Sequence, residues 1–237
     1  MSSKIAAWEK LLPNQPFNSD QYREAPPIEQ ALYETILRTS SASAPETNFK
    51  IERTDLFTIE EMASNAVALC LLTWILRLIS AQRVLEIGSF IGISTMYFAQ
   101  ALPTSGRVFT IEKFDHFATI ARRNFVANGL ADKIELIEGD AREVIPTLKD
   151  REPFDLAFID GNKERYLDYF RLVEPMMRQK GIIVIDDAFF HGDALNKIPY
   201  TDKGRGVKAV LKIAAEMKTW NRILLPLSNG MLLMQRQ

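Results

Sequence analysis

From Arg83 onward, short apolar runs of strand length alternate with stretches of helical periodicity. The run "RVLEIG" begins at Arg83 and closes on an acid and a glycine. "RVFTIE", "KIELIEGDA", "PFDLAFIDG" and "KGIIVIDDA" repeat the scheme. Between and after them, "FATIARRNFVANGL", "NKERYLDYFRLVEPMM" and "GRGVKAVLKIAAEMKTW" read as helices. The final stretch, "NRILLPLSNGMLLMQRQ", reads as two strands around a Ser-Asn-Gly turn. Alternating strands and helices predict βαβ units, a parallel sheet and helices on both of its faces. Upstream, Ile28, Ala31, Leu32, Thr35 and Ile36 share one helical face, preceded by Pro26 and Pro27 where prolines are tolerated. Ser40–Asn48 is a polar loop, and a second helix is expected over Ile59–Ser80. The organisation expected is one α/β domain over residues 1–237, with 1–58 as a helical cover and 59–237 as the core.

Composition narrows the function classes. The chain has 237 residues, with 29 basic and 30 acidic side chains and a net charge of −1. A basic excess that would draw nucleic acid or a membrane surface is missing. The longest apolar run, Ala66–Ile79, contains Arg77 and is shorter than the ~20 residues of a bilayer span. No secretory leader is read at the N-terminus. The one cysteine, Cys70, sits in that apolar run and reads as a buried small hydrophobe, in keeping with a reducing cytoplasm. A homodimer acting on a small molecule is the expected assembly.

The strand ends carry the chemistry. Glu86 and Gly88, Glu112, Asp140, Asp160, and the pair Asp186-Asp187 follow successive strands. In an open α/β sheet, ligands bind outside the carboxyl ends of the strands, so these acids should line one edge. Helix capping accounts for one or two of them. It accounts poorly for Asp186-Asp187, because adjacent carboxylates repel one another unless a cation is present. The first loop, "EIGSFIGIST", holds Gly88 and Gly92 but lacks the third glycine of a dinucleotide fingerprint. Glu86 within it would disfavour a pyrophosphate. Glu112, twenty residues after Gly92, stands where an acid takes ribose hydroxyls, and Asp140-Ala141 where an adenine edge could be read. A nucleoside cofactor among carboxylates with no phosphate cradle points to S-adenosylmethionine.

The segments "VLEIGSFIGIST", "GDAREVIPTL", "FIDGNKERYLDYF" and "GIIVIDDAFFHG", in this order, resemble the cation-dependent O-methyltransferases, the catechol and caffeoyl-CoA O-methyltransferase group. The resemblance runs from about Ile59 to the C-terminus. It implies a class I methyltransferase sheet of seven strands with the last antiparallel. It implies cofactor contacts from Ser64, Glu86, Gly88, Ser89, Ser94, Glu112, Asp140, Ala141 and Asp160. It implies a divalent cation (Mg²⁺, or Mn²⁺ or Ca²⁺) on Asp160, Asp186 and Asp187. The family pattern usually has asparagine where this chain has Asp187, and often "DADK" where this chain has "DGNK". Lys163 falls on the family's catalytic lysine, and His191 where plant members place a substrate-contacting asparagine.

On this reading, Asp160 holds the cation and Lys163, three residues on, takes the proton of an acceptor hydroxyl, its pKa lowered by the cation and by partial burial. The acceptor is expected to carry a catechol-like or vicinal-diol group. Tyr166 and Tyr169, at helical spacing, read as core. "TDKGRGVK" (Thr201–Lys208) reads as a solvated loop or a mobile flap over the acceptor. Two rival functions remain: a scaffold that binds S-adenosylmethionine without catalysis, and a nicotinamide-dependent oxidoreductase.

Overall fold

The computed structural model describes residues 35–42 and 63–237. All of these except Thr35 belong to a unit that runs from Ile36 to Gln237. The expected N-terminal helix falls mostly outside the described residues, and residues 35–39 are helical. The second expected helix is α1, Ala66–Leu78. It begins with the apolar run itself, where the Asn65 side chain accepts from the backbone N–H groups of Val67 and Ala68 and caps it.

Seven strands form one sheet: β1 Arg83–Ile87, β2 Arg107–Glu112, β3 Ile134–Glu138, β4 Phe154–Ile159, β5 Met177–Ile185, β6 Trp220–Leu225 and β7 Met231–Arg236. Their order is β3-β2-β1-β4-β5-β7-β6. The first five pair in parallel, and β7 runs antiparallel to both β5 and β6. Helices α2 (Ile93–Ala101), α3 (Asp115–Ala127), α4 (Ala141–Val144), α5 (Tyr166–Val173) and α6 (Asp202–Glu216) complete the layers. The expected α/β architecture, with two strands at the end of the chain around Ser228, Asn229 and Gly230, is present.

The central strands alternate with period two between two buried faces. Ala157 and Ile159 of β4, with Ile183 and Ile185 of β5, pack beneath Tyr166, Phe170, Val207 and Val210. Leu156, Phe158, Ile182 and Val184 point the other way, into Leu69, Leu72 and Leu76 of α1 and Phe98 of α2. Burial on both sides explains why these strands read as nearly continuous apolar runs. It also fixes the register, since a slip of one residue would move every side chain to the wrong face. Among the described residues, no helix is long and apolar enough to cross a membrane.

The strand order reverses between β1 and β4, and the chain continues past both strands in register. The Gly88 N–H donates to the Ile111 carbonyl, Asp160 N–H to Ile87, and Asp186 N–H to Ile159. The residues after β1, β4 and β5 are thus held side by side at one edge. Gly88 has φ +94°, and a Cβ there would overlap the Asp160 carbonyl oxygen. Only glycine permits this approach of the two loops.

The segment Thr201–Lys208 is not a loop. Thr201 caps α6 through the Gly204 N–H, and helix runs on to Glu216. Its two glycines serve packing: a Cβ on Gly204 would strike the Asp193 carboxylate, and one on Gly206 would strike the Lys163 carbonyl oxygen.

Candidate active site

The edge at the strand reversal gathers two groups of polar residues, one under the first loop and one at the ends of β4 and β5. Glu86 anchors the first. It lies inside β1 and is fully buried. Its carboxylate accepts from Ser94 Oγ at 2.6 Å and Thr110 Oγ1 at 2.6 Å, and from Thr95 Oγ1. Burial pushes its carboxyl up to about 7, although the three hydroxyls pull the other way. Ser89 is buried as well, 3.5 Å from Thr95 through their hydroxyls. Glu86 therefore acts beneath the loop rather than on its surface, and the Ser94 hydroxyl is turned inward to it. Thr95 and Thr110 were not singled out in the sequence, and an isolated threonine gives no signal of such a partner.

Glu112 ends β2 and is also buried. Its two oxygens accept from Phe90 N–H at 2.7 Å and Phe114 N–H at 2.9 Å. Burial raises its pKa, partly offset by these backbone bonds. It thus ties the β1 and β2 loops together. Phe90, Phe114 and Phe117 meet edge-on beside it, with centroids 4.8 and 6.0 Å apart. Asp140 is more fully engaged than its sequence position suggests. It caps α4, accepts from Arg142 Nε at 3.0 Å and Nη2 at 2.9 Å, and pairs with Lys113 at 3.1 Å. The Arg142 side chain holds its carboxyl well below the usual range. Ala141 is buried in the core.

The second group centres on Lys163. Asn162 caps a short 3-10 turn, Lys163–Arg165, which precedes α5. Lys163 Nζ donates to Asp160 Oδ1 at 2.7 Å and pairs with Asp187 Oδ2 at 2.8 Å. Ser64 Oγ donates to the other Asp160 oxygen at 3.3 Å. Asp187, at φ +52°, gives its Oδ1 to Asn229 Nδ2 at 3.1 Å, while its own N–H donates to Asp186 Oδ1 at 2.9 Å. Asn229 also accepts from the His191 N–H at 2.6 Å, so the turn before β7 holds this loop. The His191 side chain is exposed and stacks edgewise on Phe190. The Asn229 contacts lie 38 and 42 residues apart in sequence, beyond any local pattern.

Two carboxylates, Asp160 and Asp187, thus share one ammonium, and Asp186 lies beside them with no ion pair of its own among the described residues. Burial first, then the neighbouring charges of Asp160 and Asp187, drives the Asp186 carboxyl well above its ordinary value. Asp160 rises through burial and through Asp187, against the pull of Lys163. Burial alone would lower the Lys163 pKa, but Asp160, Tyr166 and Asp187 together hold the ammonium well above its usual range. In this arrangement, with the two aspartates as its counter-charges, Lys163 is a cation; the expected lowering of its pKa belongs to the site with a divalent ion beside it.

Among the described residues, no three ligand-type side chains already surround a single point. The donor set nevertheless suits a hard divalent cation, being all carboxylate oxygen. Two of its members already grip a positive charge, that of Lys163. The Tyr166 hydroxyl, fully buried with no hydrogen-bond partner, lies close enough to feel Lys163 and all three aspartates. The residues fit the ion in charge and in chemistry.

A family model described as O-methyltransferase matches residues 40–237. A catechol O-methyltransferase of Mycobacterium tuberculosis is 34% identical over 176 residues, covering 74% of this chain and 78% of the relative. A caffeoyl-CoA O-methyltransferase of Populus kitakamiensis is 33% identical over 124 residues, 51% of this chain; the chain spans about half of that relative, 53% of its length. The crystal structure of the O-methyltransferase TomG from Streptomyces achromogenes, in complex with S-adenosylmethionine, matches with TM-score 0.69 and 30% identity over 75% of this chain and 82% of that one.

Proposed function

The chain belongs to the O-methyltransferase family, and from that premise we propose that it transfers the methyl group of S-adenosylmethionine to a hydroxyl of a small catechol-like or vicinal-diol acceptor, with a divalent cation at the aspartate cluster. The observation that carries this reading is the position of Lys163. Its ammonium lies between Asp160 and Asp187, on the strand end that abuts the Gly88 loop.

The cofactor belongs over the β1 loop. Gly88 and Ser89 bring backbone close, Ser94 and Glu86 support the loop from below, and Glu112 faces the ribose side. Asp140 and Ala141 border the adenine side. There the Asp140 carboxylate is held by Arg142 and Lys113, so its contribution is placement of the α4 backbone. Ser64 orients Asp160. Asp160, Asp186 and Asp187 would hold the cation, whose chemistry is to lower the pKa of an acceptor hydroxyl and fix its position. His191 borders the acceptor side.

The sulfonium already supplies the leaving group, so the protein's task is to place the acceptor oxygen in line and remove its proton. Lys163 Nζ can accept that proton only once its ion pairs with Asp160 and Asp187 are relieved. Otherwise the ammonium is held fully protonated. The test is calorimetry with S-adenosylhomocysteine and with NAD, followed by mass analysis of a catechol panel incubated with S-adenosylmethionine. Binding of the former with methylation of a catechol supports the reading. Binding without methylation of any hydroxyl acceptor supports the non-catalytic alternative.

A further inference from the structure

We propose that Lys163 is the aspartate cluster's resident cation: its ammonium occupies the place between Asp160 and Asp187 while no divalent ion is bound, and binding of the ion drives it out. This rests on the cation site proposed above. Asp160 and Asp187 would otherwise stand half-buried without a counter-charge, which is costlier than half-burial of a paired carboxylate. Asp160 and Asp187 are 14% and 30% exposed and Lys163 16%, so solvent compensates little. The two contacts, at 2.7 and 2.8 Å, have the length of charge-assisted hydrogen bonds.

The surroundings make an exchange by side-chain rotation feasible. The Lys163 backbone is pinned, because its carbonyl lies where any side chain at position 206 would have to go. The Nζ sits 5.6 Å from the Tyr166 ring centroid in the same position, and that ring is fully buried, so a displaced ammonium turns outward to solvent. The Asp187 carboxylate is kept in position by Asn229 when the lysine leaves. Asparagine at position 187 would remove one of the two charges that retain Lys163. Aspartate there is what makes the internal pair strong.

The exchange is read by pulse acetylation of the full chain, with the Lys163 peptide quantified by mass spectrometry in chelator and in Mg²⁺. Freed from its carboxylates, Lys163 should label several-fold faster with Mg²⁺, while the other lysines serve as internal controls. Unchanged or slower labelling in Mg²⁺ overturns the proposal. Calorimetric titration with Mn²⁺ gives a second reading on Lys163→Gln and Lys163→Arg. The glutamine variant should bind about tenfold more tightly. The arginine variant, with a cation better matched to two carboxylates, should bind more weakly than wild type. Arginine binding the ion as tightly as glutamine contradicts exchange. Should the wild type bind no cation at all, both the exchange and the cation part of the proposed function fall. Titration with S-adenosylhomocysteine in the same samples reports separately on the cofactor reading.

Discussion

Glu86→Gln tests the buried network under the cofactor loop. The carboxyl is raised from 4.5 to about 7, chiefly by burial, with Ser94, Thr110 and Thr95 offsetting part of that and Asp160 adding to it. A group whose folded value lies above its unfolded value binds its proton more tightly in the native state. The stability it contributes is complete below pH 4.5 and is lost as pH climbs to about 7. Each tenfold difference in proton affinity corresponds to about 1.4 kcal/mol, so the swing amounts to about 3 kcal/mol. Glutamine cannot titrate, and its altered hydrogen bonding adds an offset that is independent of pH. Urea unfolding of both proteins, followed by circular dichroism at several pH values between 4.5 and 7, isolates the difference. The low-lying carboxyls Asp140 and Asp193 are common to both proteins and cancel. The expected result is a steady loss of wild-type stability relative to the variant, by about 3 kcal/mol across this range. A difference that stays flat, or that grows in favour of the wild type, refutes the reasoning.

Gly88→Ala combines a left-handed backbone with a clash against the Asp160 carbonyl; it should cost about 2–4 kcal/mol in urea unfolding and reduce affinity for S-adenosylhomocysteine. Glu112→Ala leaves the Phe90 and Phe114 N–H groups without an acceptor, so calorimetry should register weaker cofactor binding, and unfolding a loss of about 1–3 kcal/mol for each donor that stays buried. Asp187→Asn should keep methyl transfer but alter the preference among Mg²⁺, Mn²⁺ and Ca²⁺, since a neutral oxygen ligand is tolerated. Asp160→Asn, which also loses the Ser64 and Lys163 arrangement, should be the more damaging change in the same turnover assay; equal inactivity of the two with every metal would point to a proton-transfer role for Asp187.

The strands and the acidic edge were legible because short apolar runs closed by an acid are local patterns. Asp160, Lys163 and the Asp186-Asp187 pair could be singled out for that reason, and they do meet. Contacts between distant segments were not legible. Nothing near Asn229 marks it as the holder of Asp187, and nothing near Thr110 marks it as a donor to Glu86. Glycines misled the reading of residues 201–208. Gly204 and Gly206 look like loop residues, yet they lie in a helix, and glycine is needed there because the Asp193 carboxylate and the Lys163 carbonyl press against it. Cys70, expected in the core, is only partly buried, on the side of α1 that faces Ser41 and Ala42 across a shallow groove. The state of Lys163 depended on which charge its carboxylates held. Burial and ion pairing act on a lysine in opposite directions, and only the geometry decides between them.

The central claim, methyl transfer assisted by a cation at the aspartate cluster, is tested most directly by labelled methyl transfer from S-adenosylmethionine to a catechol before chelation, in EDTA, and after restoring Mg²⁺. The account predicts transfer that is lost in EDTA and regained with Mg²⁺, while S-adenosylhomocysteine still binds the chelated protein. Transfer that continues undiminished in EDTA would contradict it.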